Sequence, residues 1–146
     1  QESVGNHRFN VKYDDMLKID EAELLKGQMA TKWDDPEVCP VQVIGNLPFN
    51  VATELLLKWL HQLPSRSGVF QWGRVPFTLM FQTEVAERIV ARPGTKNYGR
   101  LSVMTQQSCE ASTIMSVPGK LFIPPPKVDA TVISIIPKIN PVPLEN

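Results

Sequence analysis

The constraint that most limits what this chain can become lies between residues 41 and 63, where a β-branched run passes through a rigid turn into an amphipathic helix. Val41-Gln42-Val43-Ile44-Gly45 is short and bounded upstream by Pro36 and Pro40, so it reads as a buried strand. Beyond the turn, Ala52, Leu55, Leu56, Trp59, Leu60 and Leu63 recur at helical spacing and form one apolar stripe, with Asn50 as the expected N-cap. Strand, loop and helix in this order set Asn46-Leu47-Pro48-Phe49 at the carboxyl end of a strand. In an open α/β sheet that is the edge where ligands bind.

The tetrapeptide combines an amide, a fixed φ and an aromatic face. An adenine amine is a poor nucleophile because its lone pair is delocalised into the ring, and hydrogen-bond acceptors on its two N–H groups localise that pair. Asn46 Oδ1 and the carbonyl of Leu47 or Pro48 are suitable acceptors. Pro48 carries no donor and holds its neighbours' carbonyls in place. Phe49 offers a stacking platform worth about 1–3 kcal/mol per base, and a base must leave its helix to reach it. Such a site needs no metal and no strong base. An Asn-x-Pro-aromatic sequence is also an ordinary strand-to-helix turn, so the motif alone does not decide.

Three blocks decide more. IGNLPFNVATELLLKWL at 44–60, LMFQTEVAERIVARPGTKNYGRLSV at 79–103 and LFIPPPKVDATVISIIP at 121–137 together resemble, in order, the rRNA adenine dimethyltransferase family. VPFTLMFQ preceded by Trp72-Gly73-Arg74 is more similar to the mitochondrial branch, whose members also carry a transcription-factor name. The resemblance implies an α/β fold: part of a Rossmann-like, S-adenosylmethionine-dependent methyltransferase domain retaining family strands 3 to 7. It implies dimethylation of adenines in small-subunit rRNA by transfer to the exocyclic amine of a flipped-out base, in the mitochondrial matrix. Asp15 matches the carboxylate that accepts from the cofactor's adenine amine, and Met16 lines that pocket. Asn46 faces both the methionine end of the cofactor and the target amine. Phe49 and Phe122 match the aromatics on the two sides of the base. The chain departs from the family at Asp14, where Gly is usual.

Charge agrees with an RNA substrate. Residues 1–54 hold ten acids against five bases and residues 55–146 five against ten, so a neutral chain is polarised. Arg88, Arg92, Lys96, Arg100, Lys120 and Lys127 fall around the candidate site, and Arg100 and Lys127 are taken as substrate contacts to phosphate, with a solvated basic face as the plainer alternative. Glu84 and Arg88 at i,i+4 read as a solvated helix pair. Cys39, Cys109, His7 and His61 have neither metal-ligand spacing nor a disulfide framework, so no metal is expected. No apolar run reaches membrane-spanning length.

Further elements follow from pattern. Arg8 to Tyr13 reads as a strand, Ile19 to Gly27 as a helix, and Gln28 to Pro40 as loop. Val75 to Phe81 reads as a buried parallel strand and Thr83 to Ala91 as a helix stopped by Pro93-Gly94. Leu101 to Gln107 is a helix, Ser112 to Val117 and Thr131 to Ile136 are strands, and Pro124 to Pro126 stiffen the connection between those two. Residues 1–137 are expected to be the C-terminal part of a catalytic domain, and 138–146 a linker toward a further, helical domain. None of the eight glycines stands at G-x-G spacing; in the family the glycine-rich cofactor turn comes before the equivalent of Arg8. The isolated fragment is therefore expected to bind S-adenosylmethionine weakly and to be inactive. With family order 3-2-1-4-5-7-6, the first strand would have no neighbour, while strands 4, 5, 7 and 6 would pair and leave an apolar edge. The competing reading is a non-catalytic nucleic-acid-binding protein allied to the mitochondrial transcription machinery. A weaker one is a DNA adenine methyltransferase, which would need a separate sequence-reading domain.

Overall fold

The computed structural model describes residues 9–37 and 39–142. Its centre is a four-stranded sheet built from β1 (Val43–Gly45), β2 (Phe77–Gln82), β3 (Cys109–Val117) and β4 (Ala130–Pro137), in the order β1-β2-β4-β3. β1 runs parallel to β2, with Val43 opposite Phe77 and Gly45 opposite Leu79. β4 is antiparallel to both β2 and β3. This is the 4-5-7-6 half-sheet expected from the resemblance. It corrects β2 from a purely parallel strand to one that is parallel on one side only, since β4 returns against it.

The sequence pattern accounts for the helices. α2 (Phe49–Gln62) buries Ala52, Leu55, Leu56, Trp59 and Leu60, and Leu63 just beyond it is buried too. Its apolar face packs on β2, where Trp59 meets Phe77 with ring centroids 4.8 Å apart. α3 (Thr83–Val90) inserts Ala86 and Ile89 over β2 and β4 and contacts α4 (Arg100–Ser108), which in turn touches α2. The three form one contiguous helical layer. β1, α2 and β2 are thus a parallel crossover unit, which places the start of α2 at the carboxyl edge of the sheet.

Three expectations are corrected. Residues 9–13 pair with no strand among the described residues, and Phe9, Val11 and Tyr13 are exposed: alternation without a hydrogen-bonding neighbour does not make a strand. Arg8, the first residue of that expected strand, lies outside the described residues, as does the tail from 143. The helix expected over 19–27 contracts to α1 (Glu21–Leu24), capped by Asp20 Oδ1 accepting from Ala22 N at 3.0 Å. So short a helix has little stability of its own. Asn50 is not the N-cap of α2; Pro48 takes that position, its carbonyl accepting from the N–H groups of Val51 and Ala52, both at 3.1 Å.

The loop from 28 to 40 is held by side chains that no sequence pattern singles out. Arg74 donates from Nε to the Trp33 carbonyl at 2.9 Å and from its two terminal nitrogens to the carbonyls of Asp35 and Pro137. Trp33 Nε1 donates to Ile139 O at 2.8 Å, and Arg66 stacks over the Trp33 ring. Lys138 N and Val142 N donate to Ser108 O and Gln107 O, so residues 138–142 run back along the end of α4. No helix among the described residues is long and apolar enough to cross a membrane.

Candidate active site

Gly45 closes β1, and a Cβ there would lie 3.0 Å from Leu47 Cδ2 and from Leu79 Cδ2. Only a residue without a side chain lets Leu47 fold back into the core so tightly, and Leu47 is indeed buried. Burying Leu47 fixes the turn and turns its neighbours outward: Asn46 and Pro48 are exposed and Phe49 is half-buried. The Pro48 carbonyl gives both lone pairs to α2, whereas the Leu47 carbonyl enters no hydrogen bond among the described residues. The turn therefore presents one amide, one available main-chain oxygen and one aromatic side chain in sequence.

β4 begins opposite the end of β2, with Ala130 facing Gln82, and β3 ends opposite the same residue. The connection from 118 to 129 accordingly lies at the carboxyl edge that also carries the 46–49 turn, bringing half-buried Phe122 and exposed Lys127 to that edge. This connection is not the straight rod that three prolines suggest. It bends back on a short 3-10 turn at Gly119–Leu121, where a Cβ on Gly119 would stand 2.7 Å from the Val128 carbonyl. Gly119 N donates to Asp129 Oδ1 at 2.8 Å and pins the loop. Lys127, Val128 and Asp129 line a cleft of about 290 Å³ with Gln82, Thr83 and Glu84.

Asp15 and Met16 occupy a separate segment. The Asp15 carboxylate accepts from Leu17 N at 3.0 Å and stays half-exposed, and Asp14 Oδ1 accepts from Asp15 N at 2.8 Å. The departure at Asp14 is thus absorbed as a turn cap. Lys58 of α2 holds the segment, donating to Ile19 O at 2.7 Å and pairing with Glu21, which also accepts from Trp59 Nε1 at 2.9 Å. Among the described residues no hydrogen bond joins Asp15 or Met16 to the 46–49 turn. Asp15 and Asn46 offer exposed acceptors and Met16 an exposed thioether, a set that suits the N–H donors at the adenine and amino-acid ends of S-adenosylmethionine.

Arg100 lies elsewhere, at the start of α4. It lines a cleft of about 640 Å³ between α2 and the 96–104 segment, together with Thr53, Leu57, Lys96 and Tyr98. The cations stand out in the sequence, whereas nothing in it singles out Tyr98. Arg88 pairs with Glu84 at 2.7 Å on an exposed face, as the i,i+4 spacing predicts. Cys39 and Cys109 are free and buried, and no cluster of metal-ligating side chains occurs among the described residues.

Against known proteins, residues 1–146 match the ribosomal RNA adenine dimethylase family. The mitochondrial dimethyladenosine transferase 1 of Vermamoeba vermiformis is 45% identical, the match covering 92% of this chain and 40% of that protein. Ribosomal RNA small subunit methyltransferase A of Caulobacter vibrioides is 43% identical over 92% of this chain and 44% of its own length. The crystal structure of a dimethyladenosine transferase from Plasmodium falciparum superposes with a TM-score of 0.57 at 31% identity, covering 70% of this chain and 35% of that one. The chain therefore spans about two fifths of the length of the curated relatives it matches.

Proposed function

Because this chain belongs to the ribosomal RNA adenine dimethylase family, we propose that it forms part of a mitochondrial enzyme that dimethylates adenines of small-subunit rRNA with S-adenosylmethionine as methyl donor. The observation that carries the reading is the exposed Asn46 amide at the carboxyl end of β1, next to an unspent Leu47 carbonyl and half-buried Phe49. The names of the relatives in Vermamoeba and Caulobacter support the substrate and, for the former, the compartment.

When bound, S-adenosylmethionine supplies an electrophilic methyl group on sulfur. Asp15 and Met16 would hold its adenine end, and Asn46 would lie toward its methionine end. The residues of this chain then do the positioning. Asn46 Oδ1 accepts one N–H of the target amine and Leu47 O the other, which draws the nitrogen lone pair out of the ring and fixes its direction. Pro48 is left out of this pair because both acceptor sites of its carbonyl belong to α2; its part is to set the backbone that aims Leu47 O. Phe49 stacks on one face of the extruded base and Phe122, on the same sheet edge, on the other. Arg100 and Lys127 take phosphates. Catalysis on this scheme is orientation plus electrostatics, and no residue acts as a strong base.

The test is Asn46→Ala in the full-length protein with a small-subunit rRNA hairpin. Methyl transfer should fall by at least about 10²-fold, since one preorganised polar contact of this kind is worth that much, while hairpin affinity changes less than about threefold. Retained transfer by the variant would remove the assigned role. Hairpin binding without any methylation by the unaltered protein would favour the non-catalytic reading linked to mitochondrial transcription.

A further inference from the structure

Of the residues around the cleft of about 640 Å³ beside α2, the methyl-transfer scheme uses Arg100 alone. Its apolar lining includes Leu57, Leu101 and Met104, and Tyr98 adds an aromatic side chain. Lys96, Arg100 and Arg88 bring three cations, and no carboxylate lines it; Glu84 reaches the Arg88 guanidinium from outside through one nitrogen only. Its volume is in the range of pockets that take small organic ligands. An apolar lining with an aromatic side chain and several cations suits a nucleobase joined to phosphate.

The cleft also lies close to the proposed target site. Phe49, Thr53 and Leu57 are spaced by four residues and share one face of α2. Thr53 and Leu57 line the cleft, so it starts about one helical turn, roughly 6 Å, from the aromatic assigned to the target base. We propose that this cleft receives a neighbouring nucleotide of the RNA, its base among Leu57, Met104 and Tyr98 and its phosphates on Lys96, Arg100 and Arg88. The choice of RNA as occupant rests on the methyl-transfer reading; the cleft's preference for a base with phosphates does not.

Gly99 allows a test that spares the fold. It is the N-cap of α4 with extended backbone, and a Cβ placed on it meets nothing within 4 Å. Gly99→Asp is a better cap than glycine and sets a carboxylate among the three cations. In the full-length protein, its melting temperature should be unchanged or higher, and its dissociation constant for the rRNA hairpin should rise at least tenfold. The slope of log affinity against log salt should shrink by about one for each phosphate that the variant no longer neutralises. Lys26→Gln, which likewise lowers the net charge by one but on an exposed surface outside the cleft, should change affinity less than twofold. In the unaltered protein, a hairpin carrying 4-thiouridine beside the target adenine should photo-cross-link to the peptide containing Tyr98. Wild-type affinity and salt slope in Gly99→Asp, or cross-links that avoid residues 96–104, would overturn the proposal. Normal methylation by the unaltered protein with either of those results sinks the cleft alone. Cross-linking at Tyr98 without methylation sinks the methyl-transfer reading alone.

Discussion

Asn46, Leu47 and Pro48 are adjacent in sequence and are put to different uses by their surroundings. Leu47 is buried, which leaves its carbonyl rather than its side chain for the site; Pro48 lends its carbonyl to the helix; only Asn46 offers a side chain. Phe49→Ala should therefore cost about 1–3 kcal/mol of RNA affinity through the absence of stacking, read by titration of the rRNA hairpin, while Phe49→Tyr keeps the platform and most of the affinity. Cys109 illustrates the opposite fate. Burial pushes its thiol from 9.0 up to about 12, and the nearby Lys138 ammonium offsets this only in part. Between those values the unfolded chain has released the proton and the folded chain has not, so the unfolded state binds fewer protons and stability falls as pH rises from about 9 toward about 12. Urea midpoints at about pH 8 and about pH 10.5 should drop between the two, and Cys109→Ala should show a smaller drop.

At the scale of elements, the turn and the helix it starts are one device. Gly45→Ala forces a methyl against Leu47 and Leu79 at 3.0 Å, and overpacking of this kind costs about 1–3 kcal/mol. Thermal melts should show that loss, and methyl transfer should fall further than stability if the displaced Leu47 carries one of the two proposed acceptors. α1 depends on α2 in a different way: Glu21 and Lys58 are both largely buried, with side-chain exposures of 13% and 19%, and Trp59 Nε1 shares the same carboxylate. Glu21→Ala leaves Lys58 with main-chain acceptors but no counter-charge and the Trp59 indole N–H without its partner, a cost of about 1–3 kcal/mol, and should raise protease sensitivity of residues 13–27 before the rest. The helical pattern of 50–63 is legible because a long stripe of large apolar residues admits one face only. The 19–27 segment reads as longer than the helix it forms, because its periodicity is too short to outweigh what α2 and the 3-10 turn at Gly68–Trp72, against which α1 packs, require of it.

For the whole molecule, the sheet ends at β1 with its outer hydrogen-bonding edge unpaired among the described residues, and Ile44 there is 77% exposed. A bare apolar edge is a template for pairing with other chains. The 146-residue polypeptide should aggregate in a concentration-dependent way, and Ile44→Lys should suppress this in light scattering without lowering the melting temperature. An unchanged scattering profile would show that the edge is not the sticky surface.

The order of elements, the α2 stripe, the last two strands and the strand-to-helix turn at 46–49 are readable in the chain, because each is set by contacts or spacings within about twenty residues. Other features require the fold. The strand expected over 8–13 finds no partner among the described residues, and pairing is a property of two segments rather than one. Which of two neighbouring carbonyls stays available depends on where α2 begins. The cleft around Tyr98 joins residues more than forty positions apart, from Thr53 to Met104, and no local pattern encodes a cavity; it exists only once α2 and α4 pack side by side.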